Sequence, residues 1–159
     1  MSGTGLDIGG KGYLENVHAI LPSVTIVGLD YPGYDGHILP FKNNSHDYIY
    51  NSHCLEHIED YREAIREWWR VTKVGGNIII VVPHQYLYER KTDLPSKWNE
   101  DHKRFYTASS LLREIEDSLP INSFRIRHLR ENDEGHTYGI PVEIHADGCY
   151  EIECVVQKL

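Results

Sequence analysis

Ile78-Ile79-Ile80-Val81-Val82 is an unbroken aliphatic run that follows the pair Gly75-Gly76. A strand that is apolar at every position has no face to offer water, so it belongs at the centre of a sheet covered on both sides. Such sheets are largely parallel, and each parallel neighbour requires a crossover connection, usually a helix. The residues just before the run supply one, from Asp60 to Lys73. Tyr61, Ala64, Ile65, Trp68 and Thr72 fall on its inner face, and Arg62, Glu63, Arg66, Glu67 and Arg70 on its outer face. Gly75-Gly76 is expected to cap that helix in the left-handed conformation.

The same grammar recurs on either side. Leu6 to Ile8 reads as a short buried strand stopped by glycines. Tyr13, Leu14, Val17, Ile20 and Leu21 recur at helical spacing, and Pro22 ends that helix. Val24 to Leu29 is a second buried strand, and Tyr48-Ile49-Tyr50 a third. A further helix is predicted over Thr107 to Leu119, with Leu111, Leu112, Ile115 and Leu119 inward and Pro120 as its stop. Beyond Pro120, Phe124-Ile126-His128 and Ile152-Cys154-Val156 alternate with Arg and Glu. Two period-two segments with no helix between them predict an antiparallel pair at the sheet edge. The fold class is therefore α/β, a doubly wound and mostly parallel sheet with an antiparallel C-terminal strand pair and helices on both faces.

A chain of 159 residues that is 40% hydrophobic suffices for one domain, spanning residues 1–159, with one core. Its net charge of -8 argues against general nucleic-acid binding, which draws on excess Lys and Arg. No apolar run approaches the roughly 20 residues that cross a bilayer. The opening residues 1–5 lack the basic and apolar regions of a signal peptide. Cys54, Cys149 and Cys154 are an odd set without metal-type spacing, and reduced thiols in a cytoplasmic protein account for them most simply.

The strand-loop-helix that opens the chain carries Leu6-Asp7-Ile8-Gly9-Gly10-Lys11-Gly12. Glycines at such a turn let a ligand approach the backbone. A dinucleotide loop wants Gly-x-Gly-x-x-Gly, yet counting from Gly10 places Glu15 where the third glycine belongs. Glu15 suits the dipole of the following helix but not a pyrophosphate, and Asp7 is likewise a poor neighbour for phosphates but a good one for an ammonium or sulfonium group. Asp30 closes the second strand, where a carboxylate can accept from both hydroxyls of a ribose, although a turn-initiating role before Tyr31-Pro32-Gly33 also fits.

With these residues in hand, the chain resembles the class I, Rossmann-like, S-adenosylmethionine-dependent methyltransferase family. Residues 6–12 resemble its first motif and Val27-Gly28-Leu29-Asp30 its second. Leu39-Pro40-Phe41 with Ser45-His46-Asp47-Tyr48-Ile49, then His53-Cys54-Leu55-Glu56-His57-Ile58, then Val74-Gly75-Gly76-Asn77-Ile78 follow in the family's order. The resemblance implies a sheet of the seven-stranded type and S-adenosylmethionine as cofactor. It implies that Asp7, Gly9, Gly10 and Gly12 hold the methionine end and that Asp30 takes the ribose. Tyr31 would pack on adenine, Asp35 would contact it, and Asn51 and His53 would line the donor side. The N-terminal lid helices of the family are expected to be absent, and the stretch from Asp30 to Leu39 is too short for its usual helix.

Two further stretches bear on the acceptor. His53, Glu56 and His57 share a face at i, i+3, i+4, but no metal site is expected, because Glu56 and His57 more readily cap and brace the following helix. The long segment from Pro83 to Arg104 leaves the end of the central strand, where open α/β sheets bind ligands. Tyr86 and Trp98 are expected to close over the site, with Tyr88, Asn99 and Lys103 also contacting a small-molecule acceptor. Five basic residues (Arg90, Lys91, Lys97, Lys103, Arg104) against four acidic ones (Glu89, Asp93, Glu100, Asp101) hint at an anionic or sugar-linked acceptor. The stretch Pro95-Ser96-Lys97-Trp98-Asn99-Glu100-Asp101-His102-Lys103 also resembles methyltransferases of bacterial sugar loci. A hydroxyl acceptor needs a base, and His84, His102 and then His53 are the candidates. Two other readings stand beside this one: a cofactor-binding partner subunit without turnover, and an NAD or nucleotide-sugar oxidoreductase. Residues 131–148 are expected to form a second substrate loop or a homo-oligomer contact.

Overall fold

The computed structural model describes residues 3–9, 24–29 and 31–159. The helix expected over residues 13–21, and the candidate residues Gly10, Gly12 and Asp30, lie outside them.

Six strands form a single sheet: β1 (Gly5–Ile8), β2 (Val24–Val27), β3 (His46–Ser52), β4 (Thr72–Pro83), β5 (Phe124–Asn132) and β6 (Glu151–Lys158). Their spatial order is β2-β1-β3-β4-β6-β5. The first four strands are parallel, and β6 is antiparallel to both β4 and β5, as the period-two segments predict. Six strands are thus present among the described residues where seven were expected.

Register lines up the core in rows. Leu6 pairs with Ile49, Ile49 with Ile78 and Ile78 with Val156. The next row on the same face is Ile8, Asn51, Ile80 and Cys154, and Val82 faces Ile152 beyond it. All of these residues are buried. Helices α1 (Tyr61–Val71) and α2 (Ala108–Ser118) bring Ala64, Ile65, Trp68, Leu111 and Ile115 to the same core. On the opposite face, Asp7, Tyr50, Ile79 and Val155 form a half-buried row. Along the central strand, Ile78, Ile80 and Val82 are therefore buried, and Ile79 and Val81 on the opposite face are half-buried.

The start of α1 is fixed by Asp60, whose side chain accepts from the Glu63 backbone N–H at 3.0 Å. Its end corrects a second expectation. The helix stops at Val71, where extended Thr72 donates its hydroxyl to the Trp68 carbonyl at 2.7 Å and passes straight into β4. Gly75 does adopt the left-handed conformation, at φ +81°, but inside the strand, where the pairing with β3 slips between His46 and Tyr48. Gly76 is needed there for close approach, since a Cβ would lie 2.6 Å from the Asp47 carbonyl oxygen. Thr107 and Ser110 make a reciprocal cap at the start of α2, in line with the predicted boundary. The edge strand β5 is exposed along most of its length and carries Arg125, Arg127 and Arg130, charges that discourage edge-to-edge pairing.

Candidate active site

The carboxyl ends of β1, β2 and β3 converge through backbone contacts. Gly9, immediately after β1, adopts φ +82° and donates its N–H to the Val27 carbonyl at 3.0 Å. A Cβ there would fall 2.5 Å from the Cys54 sulfur, so the first glycine of the loop is held directly against the turn that follows β3. Asn51 is buried in β3 and donates its amide to the Ile8 carbonyl at 3.2 Å, while its Oδ1 finds no partner among the described residues. Burial raises the Asp7 carboxyl above its usual range and pushes the Cys54 thiol up to about 11. Gly9, Asn51, His53 and Cys54 thus form one continuous rim at the end of the parallel strands.

His53 turns the chain out of β3 at φ +48°, with its N–H given to the Val81 carbonyl at 2.9 Å. Its ring is part-exposed. Nδ1 lies 3.8 Å from Glu56 Oε1, and Nε2 lies 3.7 Å from Glu151 Oε1. Burial holds its pKa below the usual imidazole value, which keeps the ring neutral near pH 7, with a lone pair free to take a proton. Tyr150 stands edge-on to it at 6.2 Å and opens a chain of rings. Tyr88 is 4.8 Å from Tyr150 and 5.2 Å from His145, and Trp98 is 5.1 Å from His145.

The other expected residues are spread more widely. Tyr31 packs on Phe41, their ring centres 5.6 Å apart. Asp35 is exposed and spends Oδ1 on the backbone N–H groups of Ile38 and His37, which hold its carboxyl below the usual range. His84 has both ring nitrogens engaged: Nδ1 accepts from the Tyr86 N–H at 3.0 Å, and Nε2 lies 3.1 Å from Glu131 Oε1 on β5. Tyr86 and Lys103 are exposed, and the Lys103 backbone N–H binds the Glu56 carbonyl at 2.8 Å. Trp98 donates its indole N–H to the Tyr88 carbonyl at 3.2 Å, while Asn99 Oδ1 accepts from the Asp101 N–H. Several polar groups expected to meet an acceptor therefore hold the loop itself together.

Beneath the rim lies a buried polar group that sequence reasoning did not assemble. Glu56, Glu89, Ser96 and His102 are each at most 6% exposed. Glu89 takes His102 Nδ1 at 2.7 Å on one oxygen and the Ser96 hydroxyl at 2.8 Å on the other. Glu56 and His57 sit in a short 3-10 turn, Leu55–His57, and neither caps α1, a role that belongs to Asp60. Burial pushes the Glu56 carboxyl up to about 7. The spacing of His53, Glu56 and His57 was a visible signal, but nothing in the sequence tied it to His102 or to Glu89. Tyr150 and His145 were likewise hidden in a stretch with no local pattern.

Known proteins resemble this chain in sequence segment and in fold. A family model described as a methyltransferase domain matches residues 6–80, from β1 into β4. Over nearly its whole length the chain superposes on an S-adenosylmethionine-dependent methyltransferase from Mesorhizobium loti, with TM-score 0.59, 13% identity, and coverage of 99% of this chain and 91% of that one. Residues 6–80 thus match a methyltransferase domain, and the chain as a whole shares the Rossmann-like fold of an S-adenosylmethionine-dependent methyltransferase. Among curated relatives, a demethylmenaquinone methyltransferase of Corynebacterium efficiens is 46% identical over 46 residues, 29% of this chain and 20% of that protein. A ubiquinone/menaquinone biosynthesis C-methyltransferase of Stenotrophomonas maltophilia is 39% identical over 51 residues, 32% of this chain and 20% of that protein. The matched segment thus spans about one fifth of the length of these relatives.

Proposed function

We propose that the chain transfers the methyl group of S-adenosylmethionine to a small acceptor that carries an ionisable hydroxyl on a planar ring. The observation that carries this reading is the placement of His53. It joins the rim made by Gly9, Asn51 and Cys54 to the aromatic wall of Tyr88, Trp98, His145 and Tyr150. Methyl transfer is an in-line displacement: the acceptor's electron pair forms the new bond, and the sulfonium sulfur leaves as a thioether. The protein's task is to align the two centres and accept the hydroxyl proton. His53 is the proposed base, with its neutral ring beside the Glu56 and Glu151 carboxyl groups that would stabilise its protonated form.

Asp7 and the backbone at Gly9 are proposed to hold the methionine end of the donor, and Asn51 to line its path. A planar acceptor fits better than a sugar for two reasons. The wall offers ring faces and edges, and Trp98 and Asn99 spend their polar groups within the loop. The names of the curated relatives point the same way, toward quinone precursors.

The test pairs binding with turnover. Calorimetry should give binding of S-adenosylmethionine and S-adenosylhomocysteine, with no heat from NAD. A panel of hydroxylated naphthalenes and nucleotide sugars should give methylated product only from the former. His53→Ala should keep donor affinity while turnover falls by about 10²–10⁴-fold. Binding of NAD alone would remove the reading altogether. Donor binding without turnover on any acceptor would favour a non-catalytic partner subunit.

A further inference from the structure

We propose that Glu56, His57 and His102 form a binding site for one divalent first-row transition-metal ion. The three side chains place one ligand atom each within 4.8 Å of one another. The argument begins with Glu56, which is 0% exposed and whose two carboxylate oxygens have no hydrogen-bond partner among the described residues. A buried carboxylate left in this state is costly, and native proteins rarely leave one so. Its neighbours are nitrogens at distances too long for hydrogen bonds: His57 Nε2 at 3.8 Å and His102 Nε2 at 4.0 Å, with His53 Nδ1 also at 3.8 Å. Three imidazole nitrogens around one oxygen, none of them bonded to it, is what a shared cation would organise. With metal–ligand bonds of about 2.0–2.2 Å, tetrahedral ligand atoms stand roughly 3.4 Å apart, so the two separations from Glu56 close by about half an ångström, and the two histidine nitrogens, within 4.8 Å of each other, draw together with them.

The surroundings orient the ligands. A carboxylate accepts, so the proton in the 2.7 Å contact between Glu89 and His102 lies on Nδ1. That leaves the Nε2 lone pair of His102 directed at Glu56, an arrangement of carboxylate, histidine and metal that fixes ring and tautomer together. Ser96 holds the other Glu89 oxygen at 2.8 Å. The His57 ring lies edge-on to His102, their centres 4.8 Å apart. Two imidazoles and one carboxylate suit zinc, iron(II), cobalt(II) or manganese(II), whereas magnesium and calcium prefer oxygen donors. His53 stays outside the set, so the fourth position is left open on the part-exposed side. Because Glu56 and His57 follow β3 and His102 comes from the loop after β4, the ion would clip that loop onto the rim of the site.

The probe is cobalt(II), added to untagged full-length protein stripped with a chelator. One equivalent per chain should produce visible d–d absorption, which zinc then displaces. His102→Ala and Glu56→Gln should each abolish the band, while His128→Ala, an exposed histidine on β5, should retain it. Glu89→Gln should weaken cobalt affinity by about 10–100-fold without removing a ligand. If either ligand variant fails to fold by circular dichroism, the wild-type protein decides. Zinc should then raise its melting temperature and slow proteolysis within residues 84–104. A wild-type protein with no cobalt band and no zinc-dependent stabilisation would overturn the proposal, and so would a band that survives in folded His102→Ala.

Discussion

Glu89 Oε1 lies 2.7 Å from His102 Nδ1, thirteen residues along the same loop, and both side chains are buried. Ser96 donates to the second Glu89 oxygen and accepts the N–H groups of Trp98 and Asn99, so one carboxylate organises the segment from residue 89 to 102. In Glu89→Gln the amide nitrogen must face one of these donors, which leaves a buried mismatch worth about 1–3 kcal/mol. Urea unfolding should read that loss. Limited proteolysis should cut within residues 90–101 several-fold faster. Cleavage at the wild-type rate would mean that the loop is held by something other than this carboxylate.

Gly9 presses on Cys54 at the meeting of β1 and the turn after β3. An alanine there would need the left-handed φ of +82° and would drive its Cβ to 2.5 Å from the Cys54 sulfur. Backbone strain and overpacking together predict a destabilisation of about 2–4 kcal/mol for Gly9→Ala. Because the same contact shapes the proposed donor site, affinity for S-adenosylhomocysteine should drop at temperatures where the variant is still folded. Unchanged affinity in calorimetry would separate Gly9 from donor binding.

How much of this was legible in the sequence depends on the range over which each feature is encoded. Strand β4 and helix α1 announce themselves through local period, and the alternation in β5 and β6 gave the antiparallel ending. The end of α1 was misplaced because Gly75 signals a left-handed residue without saying which turn requires it. Here that turn is a slip in strand pairing beside Asp47, a tertiary demand. The rim residues were visible through ordered motifs. The Glu56–His102–Glu89 group was not, because its partners are brought together by a loop without period. The polar residues of that loop look the same in sequence whether they face a ligand or each other.

Asp47 predicts acid sensitivity. Its carboxylate accepts from Lys73 Nζ at 2.8 Å, from the Thr4 N–H at 2.8 Å and from the Thr4 hydroxyl at 3.1 Å. The Lys73 hydrogen bond leads the effects that depress its pKa to about 2, below the unfolded value of 3.8. A depressed carboxylate binds fewer protons when folded, so its stabilisation is present above the unfolded pKa and is lost as pH falls from 3.8 through about 2. Melting temperature should therefore fall less steeply across that window in Asp47→Asn than in the wild type. Parallel curves would show that Asp47 carries no linked proton.

Arg104 ties the turn that bears Glu56 and His57 to α2. One arm of its guanidinium donates to the Leu55 carbonyl at 3.2 Å, and the other donates to the Glu59 carbonyl at 2.7 Å. Nε stands 3.5 Å from Glu114, whose other oxygen accepts the Tyr106 hydroxyl at 2.7 Å. Arg104→Met keeps the apolar stem beside Tyr61 but strips the donors from two carbonyls and a part-buried carboxyl, at a cost of about 1.5–3 kcal/mol. Arg104→Lys should recover only part of this. A single ammonium cannot span both carbonyls, which a planar fork reaches at once. Chemical unfolding of the three proteins should rank them Arg, Lys, Met. A Lys variant as stable as the wild type would show that the charge matters and the fork does not.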